Sequence, residues 1–299
     1  MVRLNGLKQV ISNNLSLIFP AITKMPFDTK PCRFNFSGYE PGHRNSMKQL
    51  ARCIVAALAL CFASHAQAEQ VDLELVLAMD ASGSISNAEY ILQLEGTAAA
   101  FRDPAIQAAI TSGPAGKIAV SVMLWSDAAF PKIKSGWFVL DSARSADTFS
   151  RLVETFQLSE DRTVDIGGGG TGIGAGVREA VDMLNTNTHQ GLRRVIDVSG
   201  DGIETEFSFS KGIMVRDAKL IAQAEGITIN GLPILSENFP ALDEYYRDEV
   251  IAGPGAFVEK ASGFEDFGRA IRRKLLREIQ SQVAIAPRHD SRRIASNRP

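Results

Sequence analysis

Residues 71–79 form a nearly continuous apolar run that stops at Asp80. A strand of this composition is buried on both faces, which is the condition of a parallel sheet covered by helices on each side. Residues 117–125, 194–199 and 227–233 repeat the pattern, and residues 137–140 and 256–259 offer two shorter strands. Between them lie segments with helical spacing. Ser86 and Glu89 make a capping-box pattern, and the helix that follows is expected to place Ile91, Leu94, Ala98 and Phe101 on one face. An amphipathic segment covers residues 146–158. Ile173, Val177, Ala180 and Leu184 mark a helix, as do residues 215–225 and 243–251, and Phe264, Phe267, Ile271, Leu275 and Ile279 mark a closing one. Strands separated by helices of this length need right-handed crossovers. The expected class is therefore α/β: a doubly wound, mostly parallel sheet with helices on both faces. No linker or internal repeat interrupts residues 69–283, which read as one domain.

The charge is unevenly distributed. Residues 1–68 carry eight basic and two acidic side chains, leaving 24 basic against 32 acidic in the body. A mildly acidic body lacks the basic footprint of a nucleic-acid binder. Cys32, Cys53 and Cys61 all precede residue 69, so the body has no thiol for a disulfide, a nucleophile or a zinc ligand. It holds only His189 and His289, which removes most of the usual general-base chemistry.

From Met47 the chain reads Met-Lys-Gln-Leu-Ala-Arg, then an apolar run over residues 53–63, then small residues at Ala66 and Ala68. These are the three parts of a secretory signal peptide, and the run is too short to be a comfortable membrane span. Acylation at Cys61 is disfavoured by the large Leu60 before it. The expectation is translation from Met47, a leader over 47–68, and a periplasmic or secreted product without a transmembrane segment. Residues 1–46 read as a dispensable extension or a misplaced gene start. Residues 284–299 are polar and basic without a core pattern, as in a disordered tail.

In such a sheet, ligands sit beyond the carboxyl ends of the strands. The first strand ends in Asp80-Ala81-Ser82-Gly83-Ser84, which in isolation could be a turn with a helix cap. Two further loops reach the same edge: glycines 167–170 leading to Thr171, and Ser199-Gly200-Asp201-Gly202 after the strand from Arg194. Together they offer two carboxylates and three hydroxyls, a hard-oxygen donor set suited to Mg²⁺, with Mn²⁺ or Ca²⁺ as substitutes.

Asp80-x-Ser82-x-Ser84, Thr171 and Asp201-Gly202 resemble the metal-ion-dependent adhesion site of von Willebrand factor A domains, and the element order is similar over roughly residues 71–280. The resemblance implies a Rossmann-like von Willebrand factor A fold. It also implies direct metal ligation by Ser82 and Ser84, a largely water-mediated role for Asp80, and direct or water-mediated roles for Thr171 and Asp201. Asp243-Glu-Tyr-Tyr-Arg, Gly253-Pro-Gly-Ala-Phe and Arg272-Arg-Lys-Leu-Leu-Arg-Glu-Ile resemble a bacterial exported subfamily without an assigned activity.

The glycine cluster also fits Gly-x-Gly-x-x-Gly through Gly167, Gly169 and Gly172. It neither follows the first strand nor has a ribose acid in place. Val198-Ser199-Gly200 is not a nucleophile elbow. Trp125 and Trp137 read as packing residues. Asp197, in an apolar strand, needs a polar partner that the sequence does not name. The expected function is therefore not enzymatic. It is metal-dependent capture of a protein partner through an acidic side chain. The alternatives are an accessory subunit of a metal-handling or ATP-driven assembly, and a metal-dependent hydrolase. Protein purified from its native host should begin at Glu69 when its N-terminus is sequenced. An intact Met1 or Met47 would refute the leader.

Overall fold

The computed structural model describes residues 68–129, 131–156, 170–205 and 212–280. The extension, all of the proposed leader but its last residue, glycines 167–169 and the tail lie outside them. The elements run β1 (Glu69–Val71), β2 (Leu73–Asp80), α1 (Asn87–Arg102), α2 (Pro104–Ile110), β3 (Ile118–Trp125), β4 (Ile133–Lys134), β5 (Phe138–Leu140) and α3 (Ala143–Glu154). They continue with α4 (Ile173–Thr186), β6 (His189–Gly191), β7 (Arg194–Gly200), α5 (Val215–Ala224), β8 (Thr228–Pro233) and α6 (Leu242–Tyr245). A π-helical turn, Tyr246–Val250, and α7 (Phe264–Gln280) complete the series.

The main sheet has the order β4-β3-β2-β7-β8, with β5 also on β3. The pairs β2–β3, β2–β7 and β7–β8 are parallel, whereas β4 and β5 run antiparallel to β3. The expected α/β architecture is present: β2 lies at the centre and all eight of its residues are buried. Side chains alternate across it. Leu75, Leu77 and Met79 join α1, α3 and α7 in one core, and Val76 and Ala78 join α4, α5 and the π turn in the other. Registration brings Asp80 opposite Trp125, Met79 opposite Ser199 and Gly200 opposite Pro233. The carboxyl ends of the four parallel strands are thus level, and their loops share one edge.

Several local expectations are corrected. Ile91 is 48% exposed, because the buried face of α1 is centred on Tyr90, Leu94, Thr97 and Phe101, and Ile91 sits at its margin. The apolar run from Val71 is broken at Asp72, whose carboxylate accepts the N–H groups of Ala115 and Lys117. That break diverts β1 into a separate two-stranded pairing with β6. Residues 256–259 make only bridges, such as Val258 beside Gly231, rather than a full strand. The short helix α2, unforeseen in the sequence, starts from Asp103, which caps Ala105 N–H, with Pro104 at its first position.

Asp197 finds its partner in α7. The Lys274 ammonium, fully buried, lies 2.6 Å from both Asp197 Oδ1 and Glu278 Oε1. Glu278 Oε1 also accepts from Asn230 Nδ2, and Asn230 Oδ1 accepts Phe257 N–H, so the cluster ties β7, β8 and α7 together. Burial and the Glu278 charge push the Asp197 carboxyl up to about 7, against the pull of Lys274. Removing the one cation would strand two carboxylates in the core. Lys274→Ala is expected to lower unfolding free energy in urea by ~3–5 kcal/mol. Part of that loss should return in acid, where the two carboxyls protonate. A loss below ~1 kcal/mol, as for a surface pair, would show that the cluster does not hold α7.

Candidate metal centre

Asp80 ends a strand buried along its whole length, so its carboxylate emerges into protein rather than water. The residue is fully buried. Its Oδ1 accepts the Ser82 N–H at 2.7 Å, the local turn that Asp favours after a strand. The loop is fastened on both flanks: Ala81 N–H donates to Trp125 O, and Gln93 Nε2 of α1 donates to Asp80 O at 3.3 Å. These bonds aim the next two hydroxyls at the β7 loop. Ser82 Oγ and Ser84 Oγ are 3.1 Å apart, and Ser84 Oγ donates to Asp201 Oδ1 at 2.8 Å. Four of the five expected residues therefore form one continuous chain of contacts.

The fifth, Thr171, is buried and comes from the loop before α4. Its N–H donates to Thr205 Oγ1 at 2.7 Å and its carbonyl accepts Thr205 N–H at 2.9 Å. A Cβ on Gly202 would lie 3.6 Å from Thr171 Oγ1, which places that hydroxyl beside the residue that follows Asp201.

Three supporting groups were invisible in the sequence. Glu204 Oε2 accepts Gly174 N–H at 2.8 Å, so a carboxylate from another loop caps α4, whose own cap residue is Gly172. Glu204 N–H in turn donates to Tyr245 Oη. The third is Tyr246, fully buried at the head of the π turn. A Cβ on Gly200 would come within 2.7 Å of Asp80 Oδ2 and 2.8 Å of Tyr246 Oη, and one on Gly231 within 2.7 Å of Tyr246 Cδ1. Glycine at both positions leaves room for the tyrosine ring under the site. Nothing local in the chain announces these contacts.

The electrostatics favour a cation. Asp80 Oδ2 is buried with no hydrogen-bond partner among the described residues. Burial, and secondarily the charge of Asp201, pushes the Asp80 carboxyl from 3.8 up to about 7, against the Ser82 hydrogen bonds. Burial also raises Asp201, opposed by its bond from Ser84, with Glu89 adding a small upward push. Two carboxylates and three hydroxyls with an unpartnered oxygen between them fit a hard divalent ion. Among the described residues no three His, Cys, Asp or Glu side chains gather as a metal cluster, so the donor set would rely on hydroxyl oxygen and water.

Residues 70–283 match a family described as "Protein of unknown function (DUF1194)". No curated protein matches the sequence. Among solved structures, the chain is similar to the pilus adhesin SpaC from Lactobacillus rhamnosus GG, at 15% identity and a TM-score of 0.47 over 70% of this chain and 31% of that one. It is similar to proximal thread matrix protein 1 of the mussel byssus with a zinc-occupied MIDAS motif, at 17% identity and a TM-score of 0.46 over 70% and 46%. A third is the vWF domain of the type V pili tip protein Mfa5 from Porphyromonas gingivalis, at 12% identity and a TM-score of 0.44 over 71% and 98%. The chain spans less than half the length of the first two.

Asp80 must be ionised to hold a cation. Its folded-state pKa, about 7, lies above the ordinary 3.8, so between these values the folded protein retains a proton that the unfolded chain has released. Through this group the metal-free protein loses stability as pH rises across that window. If the site holds Mg²⁺, its affinity is expected to move the other way, rising by up to about tenfold per pH unit and levelling off once Asp80 ionises freely. Calorimetric titrations with Mg²⁺ spanning the window test this. An affinity that does not change with pH would show that Asp80 releases no proton on binding.

Proposed function

The chain belongs to the DUF1194 family, and from the geometry of its site we propose that it is an exported, metal-dependent protein-binding module rather than an enzyme. The observation that carries this reading is the Asp80 carboxylate, with one oxygen unpartnered, at the head of the Ser82–Ser84–Asp201 chain. Ser82, Ser84, Asp80, Thr171 and Asp201 would hold Mg²⁺, which when bound supplies an electrophilic centre for an outside carboxylate. Only two of the five donors are acidic, so the protein neutralises a divalent ion without surplus and leaves it attractive to a further anion.

The residues have separable tasks. Ser82 and Ser84 present hydroxyls from a loop fixed to β3 and α1. Asp201 orients Ser84 through their hydrogen bond. Thr171 is held in place by Thr205. Gly83 and Ser84 are exposed, so an incoming side chain meets this face without a lid among the described residues.

Catalysis would also need a positioned base or nucleophile. The histidine among the described residues, His189, lies on β6 beside Trp137 and leads into the amino end of β7, away from the loops at the carboxyl ends. Export is supported by the leader pattern at Met47. No helix among the described residues is long and apolar enough to cross a membrane.

Asp80→Asn keeps an oxygen for the Ser82 N–H and removes the strained charge. The wild type should gain ~2.7 kcal/mol at a Mg²⁺ concentration about 100 times its dissociation constant. The variant should gain nothing, yet be no less stable than wild type without metal at neutral pH. Partners captured from an envelope extract should fall, with the variant, to the level seen in chelator. Equal recovery by wild type, variant and metal-free protein would rule out the adhesion-type reading.

A further inference from the structure

A cleft of about 460 Å³ opens directly beside the site and shares Ser84 and Asp201 with it. Leu92 of α1, Leu235 and Phe239 of the segment after β8, and Phe264 at the start of α7 give it apolar walls. The charged side chains that line it besides Asp201 are Glu89 and Glu265, both acidic. The cations closest in sequence to Phe264 and Glu265 are engaged in ion pairs: Lys260 with Asp243 at 2.9 Å, Arg269 with Asp266 at 2.8 Å and Arg273 with Glu259 at 2.6 Å. Glu265 is exposed and has no ion pair among the described residues.

We propose that this cleft takes a Lys or Arg side chain from the same partner segment that presents its carboxylate to the Ser82–Ser84–Asp201 face. This rests on the binding function argued above and adds the partner's chemistry. Glu89 already accepts the Ser86 N–H, but an apolar side chain would cover the Glu265 carboxylate without satisfying it, which costs free energy. An acidic one would be repelled. A long cationic side chain suits both parts of the surface: its methylene stem lies against the apolar walls while its head reaches the carboxylates. Phe239 and Phe264 add aromatic lining, a surface compatible with a cation. Because Ser84 and Asp201 border both the site and the cleft, the partner's acid and base must be near neighbours. At roughly 3.3–3.6 Å per residue of extended chain, they stand within about three positions of each other.

A displayed library of random peptides, selected on the full chain with Mg²⁺ and again with chelator, tests this. Wild-type protein should yield Mg²⁺-dependent peptides with an Asp or Glu and a Lys or Arg within three positions of it. Glu265→Gln should cut the enrichment of the basic residue by about fivefold and leave that of the acid unchanged. Glu265→Lys should abolish or reverse the basic preference, and its melting temperature checks the fold. If the acid is enriched without a basic companion, or if the companion survives Glu265→Lys, the cleft inference is overturned while the metal-dependent site stands. If no Mg²⁺-dependent acid is enriched at all, the binding function fails and this inference with it.

Discussion

A carboxylate withdrawn from water needs either a proton or a cation, and the organisation of this fold turns on how it treats two such groups. Asp80 and Asp197 are both buried, on adjacent parallel strands, and burial raises both to about 7. Asp197 lies mid-strand and faces α7, where the fold supplies Lys274 as a built-in counter-ion. Asp80 lies at the strand end, where it has the Ser82 N–H on one oxygen and no hydrogen-bond partner among the described residues on the other. The first arrangement is closed and the second is left open. An internal lysine makes Asp197 part of the scaffold, whereas the missing counter-ion at Asp80 makes its loop a place where binding can lower free energy.

The closed cluster matters to the open one because it sets the sheet. Asp197, Asn230, Lys274 and Glu278 bind β7 and β8 to α7 from beneath. Arg193, just before β7, donates to the last carbonyls of α7 at Glu278 and Ile279. With β7 locked in register beside β2, Met79 opposite Ser199, the Asp201 loop has little freedom to drift from Ser84. The hydrogen bond between them is a consequence of strand register rather than of any strong preference in the loops.

How far the site could be read from the sequence follows from how its residues are spaced along the chain. Asp80, Ser82 and Ser84 sit within five residues at the end of an apolar run, so strand periodicity exposes them. Thr171 and Asp201 were found by the same rule, that loops after parallel strands share an edge. Glu204, Thr205 and Tyr246 escaped because their contacts span 30, 34 and about 46 residues with no local pattern. Lys274 and Glu278 carry a signal that their surroundings in the sequence hide. Both fall on the 3–4 stripe with Phe267 and Ile271, but a cation and an acid amid Arg-Arg-Lys-Leu-Leu-Arg-Glu-Ile look like a solvated face. Ile91 is the converse case, an apolar residue at the margin of a stripe whose centre is Leu94 and Phe101.

Thr171 shows how a loop with little intrinsic order is brought to a defined position. Glycine neighbours give it no side-chain packing, and Gly172 makes no capping hydrogen bond for α4. The order is imported. Gly172 N–H donates to Ser126 O at the end of β3, Thr171 exchanges two bonds with Thr205, and Glu204 neutralises the amino end of α4. All the groups that fix Thr171 lie on loops leaving β3 and β7, the two strands flanking β2. Since Asp201 leaves β7 four residues before Thr205, the segment that presents one donor also positions another. Preorganisation of this kind lowers the conformational cost of closing around a small ion. It also couples the two residues: a shift of the 201–205 segment moves Asp201 and Thr171 together, so the proposed site would lose two of its five oxygen donors at once.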